Sequence, residues 1–221
     1  MNILVIGASR GIGLEFVRQY RAAGDTVIAT ARDAAGLERI EALGAKALKI
    51  DVADPASVNG LSGQLDGEKI DVALYVAGVF TRDGAIEPPP QQEFDVTMRT
   101  NVLGAMQAIP QVAPLVEAAG GKFVFITSDM SRIGDVDNSY GWVYRASKAA
   151  LNMTVASAQA DYRRAILVAM SPGWVQTEMG GAGAPLKVED SVGAMRKAIA
   201  ALGKKQQGAF LRHDGRPFPS W

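Results

Sequence analysis

The chain has 221 residues, 48% of them hydrophobic, with 23 basic and 23 acidic side chains, one histidine and no cysteine. A chain without cysteine forms no disulfide and no thiolate zinc site, and a single histidine excludes a histidine metal cluster. The net charge of zero argues against nucleic-acid binding, which normally needs a basic excess on one face. We therefore expect one globular domain over residues 1–221 with neither nucleic acid nor metal as a partner.

The chain contains no segment that resembles a membrane anchor. No apolar run reaches the roughly 18 residues of a membrane-spanning helix. The first run, residues 2–6, is followed at once by glycine and not by the longer stretch and small-residue cleavage site of a secretory signal. These features predict a cytoplasmic protein with no membrane partner.

Short apolar runs alternate with longer amphipathic stretches along the chain. Seven runs have the length of buried parallel strands: residues 2–6, 26–31, 45–50, 70–75, 122–127, 165–170 and 209–211. The predicted helices are 12–23, 34–43, 55–65, about 92–118, about 143–163 and about 187–202. This alternation is typical of an α/β fold, here a single doubly wound Rossmann-type domain with a seven-stranded parallel sheet flanked by helices.

The first predicted strand runs directly into a glycine-rich turn. Its sequence, Gly7-Ala-Ser-Arg-Gly11-Ile-Gly13, has the spacing Gly-x-x-x-Gly-x-Gly and opens the first predicted helix. A dinucleotide pyrophosphate needs backbone N–H donors at a helix N-terminus and an approach free of Cβ atoms, which glycine supplies. The turn predicts a dinucleotide site, and the alternative is a glycine-rich turn without a ligand.

Further motifs follow in order along the chain, most of them where later strands end. They are Asp51-Val52, Val76-Ala77-Gly78, Asn101, Ser128, Tyr144-Arg-Ala-Ser-Lys148 and Pro172-Gly173. Together with the glycine turn they resemble the short-chain dehydrogenase/reductase family. The departure is Val76-Ala77-Gly78, which stands where the family usually has Asn-Asn-Ala-Gly, so the first two positions of that motif differ.

The resemblance implies an oxidoreductase that uses a nicotinamide dinucleotide. In the family, a tyrosine is the general acid and base, a lysine also holds the nicotinamide ribose, a serine binds the substrate carbonyl, and an asparagine holds a water for proton supply. The matching catalytic residues are Tyr144, Lys148, Ser128 and Asn101. The residues expected to contact the cofactor are Gly7, Ser9, Arg10, Gly11, Ile12, Gly13, Arg32, Asp51, Val52, Ala77, Gly78, Tyr144, Lys148, Pro172, Gly173, Val175 and Thr177.

Tyr144 and Lys148 are four residues apart, so a helix projects both side chains from one face. A phenol with a pKa of about 10 is a poor proton donor and a worse base near neutrality. A nearby ammonium favours the phenolate and is expected to lower the pKa of Tyr144. From spacing alone, a solvated pair on a helix surface remains the alternative.

Two serines compete for the role next to the substrate carbonyl. Ser128 ends the fifth predicted strand, where parallel sheets bind ligands, but it precedes Tyr144 by sixteen residues, which is longer than the usual family spacing. Ser131, thirteen residues before Tyr144, has the commoner spacing. We favour Ser128, because the longer spacing is similar to the C-factor and Sniffer-type carbonyl reductase branch. For either serine, the alternative role is a turn or helix cap.

The end of the second predicted strand indicates the cofactor. An NAD site places a carboxylate there for the ribose 2′-hydroxyl, whereas an NADP site places a basic group for the 2′-phosphate. The strand ends Thr30-Ala31-Arg32, and Arg10 adds a second guanidinium. Asp33 is a possible NAD carboxylate, but its place before an Ala-Ala-Gly-Leu segment predicts an N-cap. NADP(H) is therefore favoured over NAD(H).

These features predict an NADPH-dependent reductase of a small-molecule ketone or aldehyde, reversible to alcohol oxidation. The alternatives are an NAD-dependent alcohol dehydrogenase and a non-catalytic dinucleotide-binding signalling protein. Subunits that pair through the two long predicted helices, about 92–118 and about 143–163, would form a homodimer or homotetramer. The short segment between Thr177 and Lys187, rich in glycine, predicts an open substrate site without a helical lid. His213 is expected to be a surface residue remote from these motifs.

Overall fold

The structure, a computed structural model, describes every residue from Met1 to Trp221. Its strands are β1 (Asn2–Ile6), β2 (Thr26–Ala31), β3 (Lys46–Lys49), β4 (Val72–Tyr75), β5 (Lys122–Ile126), β6 (Ile166–Ser171) and β7 (Phe210–Arg212). Its helices are α1 (Gly11–Ala22), α2 (Ala34–Ala42), α3 (Pro55–Asn59), α4 (Leu61–Gln64), α5 (Gln91–Met98), α6 (Gly104–Ala119), α7 (Trp142–Ala158) and α8 (Val188–Ala201). All seven predicted strands are present, with ends that differ by at most two residues.

The seven strands form one parallel sheet in the order β3-β2-β1-β4-β5-β6-β7. The chain first builds outward from β1 to β3 and then returns to add β4 on the other side of β1. Because the strand order reverses at this point, the connections after β1 and β4 leave a crevice at the carboxyl edge of the sheet. The predicted doubly wound fold is confirmed.

Both faces of the sheet are covered by helices, so the strands are buried on both sides. In β1, Leu4 and Ile6 belong to one hydrophobic cluster, and Ile3 and Val5 belong to the other. This is why the strands read as continuous apolar runs and not as alternating ones. No helix has both the length and the apolar character needed to cross a bilayer.

Three of the helix predictions are wrong in extent. The single helix expected over residues 55–65 is two short helices, α3 and α4, separated by Gly60, because glycine is a poor helix former. The helix expected over about 143–163 ends at Ala158. Beyond it, Gln159 Nε2 donates to the carbonyls of Tyr162 and Ala165, at 2.9 and 3.2 Å, which turns the chain directly towards β6.

The long helix expected over about 92–118 is also interrupted. Between α5 and α6, Arg99–Leu103 forms a π-helical turn, in which the N–H of Gly104 donates to the carbonyl of Arg99. The π-turn contains Asn101, which is completely buried. Turns of this kind occur frequently at functional sites.

Gly104 lies where the helix resumes after the π-turn. A Cβ atom at this position would lie 2.5 Å from Tyr75 Oη and 2.6 Å from the carbonyl oxygen of Val52. Both neighbours are buried. The absence of a side chain therefore lets α6 approach the end of β4 closely. This contact determines how close the π-turn lies to the sheet.

We predict that Gly104→Ala destabilises the protein by about 1–3 kcal/mol, because the added methyl forces the helix away from the sheet. Thermal unfolding would show this as a fall in Tm of several degrees. The control is Gly63→Ala in α4, where a Cβ atom has no neighbour within 4 Å. This variant should keep or raise the Tm. Equal Tm values for the two variants would contradict the close contact between α6 and the end of β4.

Candidate active site

A cleft of about 590 Å³ opens at the carboxyl edge of the sheet, beside β1 and β4. Fifteen of the predicted cofactor residues line it: Gly7, Ser9, Arg10, Gly11, Ile12, Gly13, Arg32, Asp51, Val52, Ala77, Gly78, Tyr144, Lys148, Pro172 and Thr177. Gly173 and Val175 do not line it, nor do Ser128 and Asn101. The topology thus brings together motifs that are far apart in the sequence.

The glycine turn is shaped by close contacts within the chain. Gly7 has φ +89°, and a Cβ atom on it would lie 2.6 Å from the backbone of Ala77. A Cβ atom on Gly13 would lie 2.2 Å from the carbonyl oxygen of Gly7. These two glycines therefore allow β1, α1 and the end of β4 to meet, which places the start of α1 at the cleft.

The start of α1 presents unpaired donors to this cleft. The backbone N–H groups of residues 9–13 donate to no acceptor in the protein, whereas the N–H groups of Gly7 and Ala8 both bond to Thr30. Unpaired N–H groups at a helix N-terminus bind phosphate oxygens well. The turn therefore fits the pyrophosphate of a dinucleotide.

Tyr144 and Lys148 lie on the first two turns of α7 and are only 7% and 4% exposed. Lys148 Nζ lies 5.7 Å from the centre of the Tyr144 ring and donates to the carbonyl oxygen of Ile126, at 2.9 Å. Both side chains therefore share one buried face of the helix. The solvated surface pair, which spacing alone allowed, is excluded.

Burial dominates the ionisation of both groups. It raises the pKa of Tyr144 to about 12, although the neighbouring Ser128 hydroxyl opposes the shift, and it lowers the pKa of Lys148 to about 8. The expected lowering of the Tyr144 pKa by the ammonium is thus wrong for this structure. The cost of desolvating a phenolate exceeds the effect of a cation at this distance.

The structure gives the two serines different surroundings. Ser128 lies at the end of β5, where its Oγ accepts from the N–H of Met130, at 3.1 Å, and lies close enough to Tyr144 to affect its pKa. The Ser131 hydroxyl donates to the carbonyl of Ser128, at 2.5 Å, and accepts from Asn152 Nδ2, at 2.8 Å. Ser131 is therefore held in structural hydrogen bonds. The additional residues between Ser128 and Tyr144 form two short 3₁₀ turns.

The Asn101 side chain bonds to two other segments of the site. Its Oδ1 accepts from the N–H of Val79, at 2.8 Å, and its Nδ2 donates to the Val79 carbonyl and to Ser147 Oγ, at 3.0 and 2.9 Å. Val79 lies just after β4, and Ser147 precedes Lys148 on α7. The side chain thus joins the π-turn, the loop after β4 and the helix that carries Tyr144.

Sequence reasoning missed the contribution of the loop after β4. Asp83 accepts from the N–H of Val143 through Oδ2, at 3.1 Å, and from the N–H of Gly141 through its carbonyl, at 2.9 Å. The Phe80 ring meets the Tyr144 ring edge-on, with centroids 4.7 Å apart. This loop therefore holds the start of α7 across a gap of 60 residues, and no local pattern in the sequence signals it.

Several charged groups surround the end of the cleft beside β2. Arg32 is exposed and forms no ion pair, whereas Arg10 pairs with Glu178. Asp33 accepts from the N–H of Gly36, at 2.8 Å, so its predicted role as the N-cap of α2 is confirmed. Arg39, which sequence reasoning missed, also lines the cleft, and its Nε donates to the carbonyl of Ser9, at 2.8 Å.

The segment between β6 and α8 contains no helix, as its composition predicts. The N–H of Gln176 donates to the carbonyl of Leu186, at 2.8 Å, and closes the segment into a compact loop. The N–H of Val175 has no acceptor in the protein, although the residue is only 4% exposed. This backbone N–H is therefore an unpaired buried donor next to the cleft, although Val175 does not line the cleft itself.

The placement expected for His213 is wrong. This residue is half-buried, and its Nδ1 lies 3.5 Å from the position that a Cβ atom on Gly173 would occupy. The reason is the parallel pairing of β7 with β6, which sets Arg212 opposite Ser171 and brings the following residue to the carboxyl edge. Both His213 and Gly173 line a second cavity, next to the cleft.

Comparison with known proteins gives relatives over the whole chain. A Sniffer carbonyl reductase from D. melanogaster superposes with a TM-score of 0.91 and 28% identity, over 100% of this chain and 99% of that one. A short-chain dehydrogenase/reductase from Burkholderia multivorans with bound NADP gives 0.89 and 28%, with the same coverage. The C-signal protein of Myxococcus xanthus is 33% identical over 153 residues, which are 68% of this chain and 92% of that protein.

The family comparison agrees with the motifs. The model of the short chain dehydrogenase family matches residues 1–185, from the glycine turn to the loop after β6. The Sniffer protein described above is a carbonyl reductase of this family. The chain therefore belongs to the short-chain dehydrogenase/reductase family, as an oxidoreductase of the carbonyl-reductase type that binds a nicotinamide dinucleotide and acts on carbonyl or alcohol groups.

Proposed function

We propose that the chain is an NADPH-dependent reductase that converts a ketone or aldehyde into an alcohol. Tyr144 donates the proton, Lys148 supports the phenolate that forms, and Ser128 binds the carbonyl oxygen. When bound, NADPH supplies the hydride. The main support is the buried pair of Tyr144 and Lys148, which face the cleft from one side of α7.

Proton donation suits the state in which Tyr144 is held. With a pKa of about 12, the phenol is protonated at neutral pH, so the proton that the product needs is present. Hydride addition leaves an alkoxide, which is a much stronger base than a phenolate and takes the proton. The resting Tyr144 is thus in the protonation state that carbonyl reduction requires near pH 7.

Lys148 is the nearest cation to the phenol. Its ammonium stabilises a phenolate at Tyr144 after proton transfer, because opposite charges in a buried site attract more strongly than in water. With a pKa of about 8, Lys148 is still charged at neutral pH and can exchange protons near that pH. The same side chain is placed to hold the ribose hydroxyls, as in the family.

The surroundings of β2 favour NADP(H). Arg32 has no carboxylate partner and can bind a 2′-phosphate, and Arg39 adds a further positive charge in the same part of the cleft. The main candidate for an NAD-selective carboxylate, Asp33, lines the cleft but uses one carboxylate oxygen to cap α2. The NADP bound to the Burkholderia multivorans relative is consistent with this preference. Arg10 can also bind the 2′-phosphate when this phosphate displaces Glu178 from the Arg10 guanidinium.

A signalling role is the second candidate, because the chain is similar to the C-signal protein. The two functions make different demands on the site. A pure sensor of the dinucleotide needs the glycine turn but no proton donor beside the nicotinamide. The buried Tyr144 and Lys148 pair is costly to maintain, and this favours chemistry.

Subunit pairing is also part of the proposal. The surface of the long helices carries large exposed apolar side chains, including Phe94 on α5, Met106 on α6 and Met153 on α7, which are 41%, 50% and 67% exposed. Apolar residues on neighbouring helices are suited to an interface. We expect a homodimer or homotetramer that buries these helices.

The proton-donor role predicts that Tyr144→Phe lowers kcat for carbonyl reduction by about 10²–10⁴. Binding of NADPH should change little, because the phenol acts on the substrate oxygen. Steady-state kinetics and NADPH fluorescence titration measure the two effects. The matched control is Tyr140→Phe, which removes the hydroxyl of a half-exposed neighbour. More than a tenth of the wild-type rate in Tyr144→Phe would disprove the assignment.

The cofactor preference predicts the effect of Arg32→Asp. The change replaces a cation that pairs with the 2′-phosphate by a carboxylate that repels it and accepts from a ribose hydroxyl. We expect KM for NADPH to rise about ten- to a hundredfold, the range of a lost charge-assisted pair, and KM for NADH to fall. Arg164→Asp, an exposed site just before β6, should alter neither constant. A wild-type preference for NADH would contradict the proposal.

The buried ammonium predicts a pH-dependent cost in stability. Below pH 8 Lys148 is charged in both folded and unfolded chains, and the folded state bears the full desolvation cost. Between about 8 and 10.5 only the unfolded chain keeps the proton, so the stability contributed at this site rises with pH. Lys148→Met should therefore raise Tm by a few degrees at pH 7, and the gain should shrink by pH 10.

The control for this experiment is Lys197→Met, an exposed lysine in α8. It should show no such pH-dependent difference from the wild type. Differential scanning calorimetry at a series of pH values measures all three proteins. A Tm difference for Lys148→Met that stays constant from pH 7 to pH 10 would show that the ammonium is not desolvated.

A further inference from the structure

A second cavity, of about 380 Å³, lies at the carboxyl ends of β5, β6 and β7. Its walls are mostly polar and include three arginines, Arg132, Arg145 and Arg212, together with His213. The volume lies within the range of sites for small ligands. The composition is unusual for a pocket that would bind an uncharged carbonyl compound.

The cavity begins next to the residues of the reaction. Asp129 lines it and directly follows Ser128, whose Oγ donates to the Asp129 carboxylate, at 3.3 Å. Ser171 also lines it, and its Oγ accepts from the N–H groups of Asp129 and Gly173, at 3.1 and 3.2 Å. A substrate whose carbonyl reached Ser128 could therefore extend a substituent into this cavity.

The charges in the walls do not balance. Arg132 pairs with Asp135, whereas Arg212 forms no ion pair. Arg145 donates only to uncharged groups, the carbonyls of Tyr140 and Met130 and the amide oxygen of Asn138. The second carboxylate, Asp129, pairs with no cation. Three guanidiniums thus face two carboxylates, which leaves an excess of one positive charge before His213 is counted.

Two of the arginines lie against the same aromatic ring. The guanidinium carbons of Arg132 and Arg212 lie 5.0 and 4.9 Å from the centre of the same ring, that of Phe218, so they are within about 10 Å of each other. Arg132 is 9% exposed, and its Nε has no acceptor. Both guanidiniums also line the cavity, so an anion bound there is attracted by both positive charges.

We propose that this cavity is an anion subsite that binds a carboxylate carried by the substrate, a proposal that rests on the reductase function above. The substrates are then ketones or aldehydes with a carboxylate a few bonds from the carbonyl. The carbonyl takes a hydride from NADPH and a proton from Tyr144 to become an alcohol, NADP⁺ is released, and the carboxylate is unchanged. A monoanion matches the single excess charge better than a phosphate dianion, which would be repelled by Asp129 and Asp135.

The kinetic test compares 4-formylbenzoate with its methyl ester, in which an uncharged ester with one added methyl group replaces the carboxylate and makes the aldehyde intrinsically more electrophilic. We expect the wild type to reduce the acid with a kcat/KM at least tenfold higher than that of the ester. Arg212→Gln, at an exposed residue outside the catalytic groups, should lower kcat/KM for the acid about ten- to a hundredfold and for the ester less than threefold. The matched control Arg164→Gln should affect neither substrate.

Equilibrium binding tests the subsite independently of turnover. Calorimetry would measure 4-(hydroxymethyl)benzoate and its methyl ester on the protein saturated with NADPH, a combination in which no hydride can be transferred. We expect tighter binding of the acid, and at least tenfold weaker binding of the acid by Arg212→Gln. Equal affinities for acid and ester, or an acid affinity unchanged in Arg212→Gln, would overturn the subsite.

The two proposals fail in different ways. If acid and ester are reduced equally well, the reductase stands and the subsite is wrong. If neither is reduced but acid binding depends on Arg212, the subsite stands and the reductase function is wrong. A thermal melt of Arg212→Gln confirms that the variant is folded in each experiment.

Discussion

The buried side chain of Asn101 is the contact on which the site depends. It bonds to both backbone groups that Val79 offers and to Ser147 Oγ, and so joins three segments that are far apart in the sequence. Because a buried amide left without partners is costly, these segments keep one relative position. The π-turn presents the amide in this direction, and Gly104 allows the turn to lie against the end of β4. Tyr144 and Lys148 are placed as a consequence.

This placement has an energetic cost that fits the chemistry. The same burial that destabilises a charged Lys148 keeps Tyr144 protonated, so the site is less stable than a solvated pair would be but holds the proton that carbonyl reduction needs. The hydrophobic clusters on both faces of the sheet compensate for that cost. The carboxyl edge of the sheet, where polar groups from β1, β4, β5 and β6 meet, is then free to be specialised for a ligand.

Sequence patterns predicted the fold well, because buried parallel strands and amphipathic helices have strong local signals. The glycine turn and the order of the motifs indicated the site for the same reason. Sequence patterns did not predict three features: the π-turn at Asn101, the anchoring of α7 by Asp83, and the position of His213. Each depends on contacts between segments that the sequence separates widely, as with Asp83 and Val143. The ionisation of Tyr144 was misjudged because spacing reveals a neighbouring charge but not the depth of burial.

The central claim is that the buried pair on α7 serves hydride addition to a carbonyl carbon. The most direct test is to incubate the protein with NADPH deuterated at the transferable position and a small diketone such as 2,3-butanedione, and to analyse the alcohol by mass spectrometry and NMR. We expect one deuterium, bound to the carbinol carbon and in a single stereochemical configuration. An alcohol without deuterium at that carbon, or no alcohol from any small activated carbonyl compound, would contradict it.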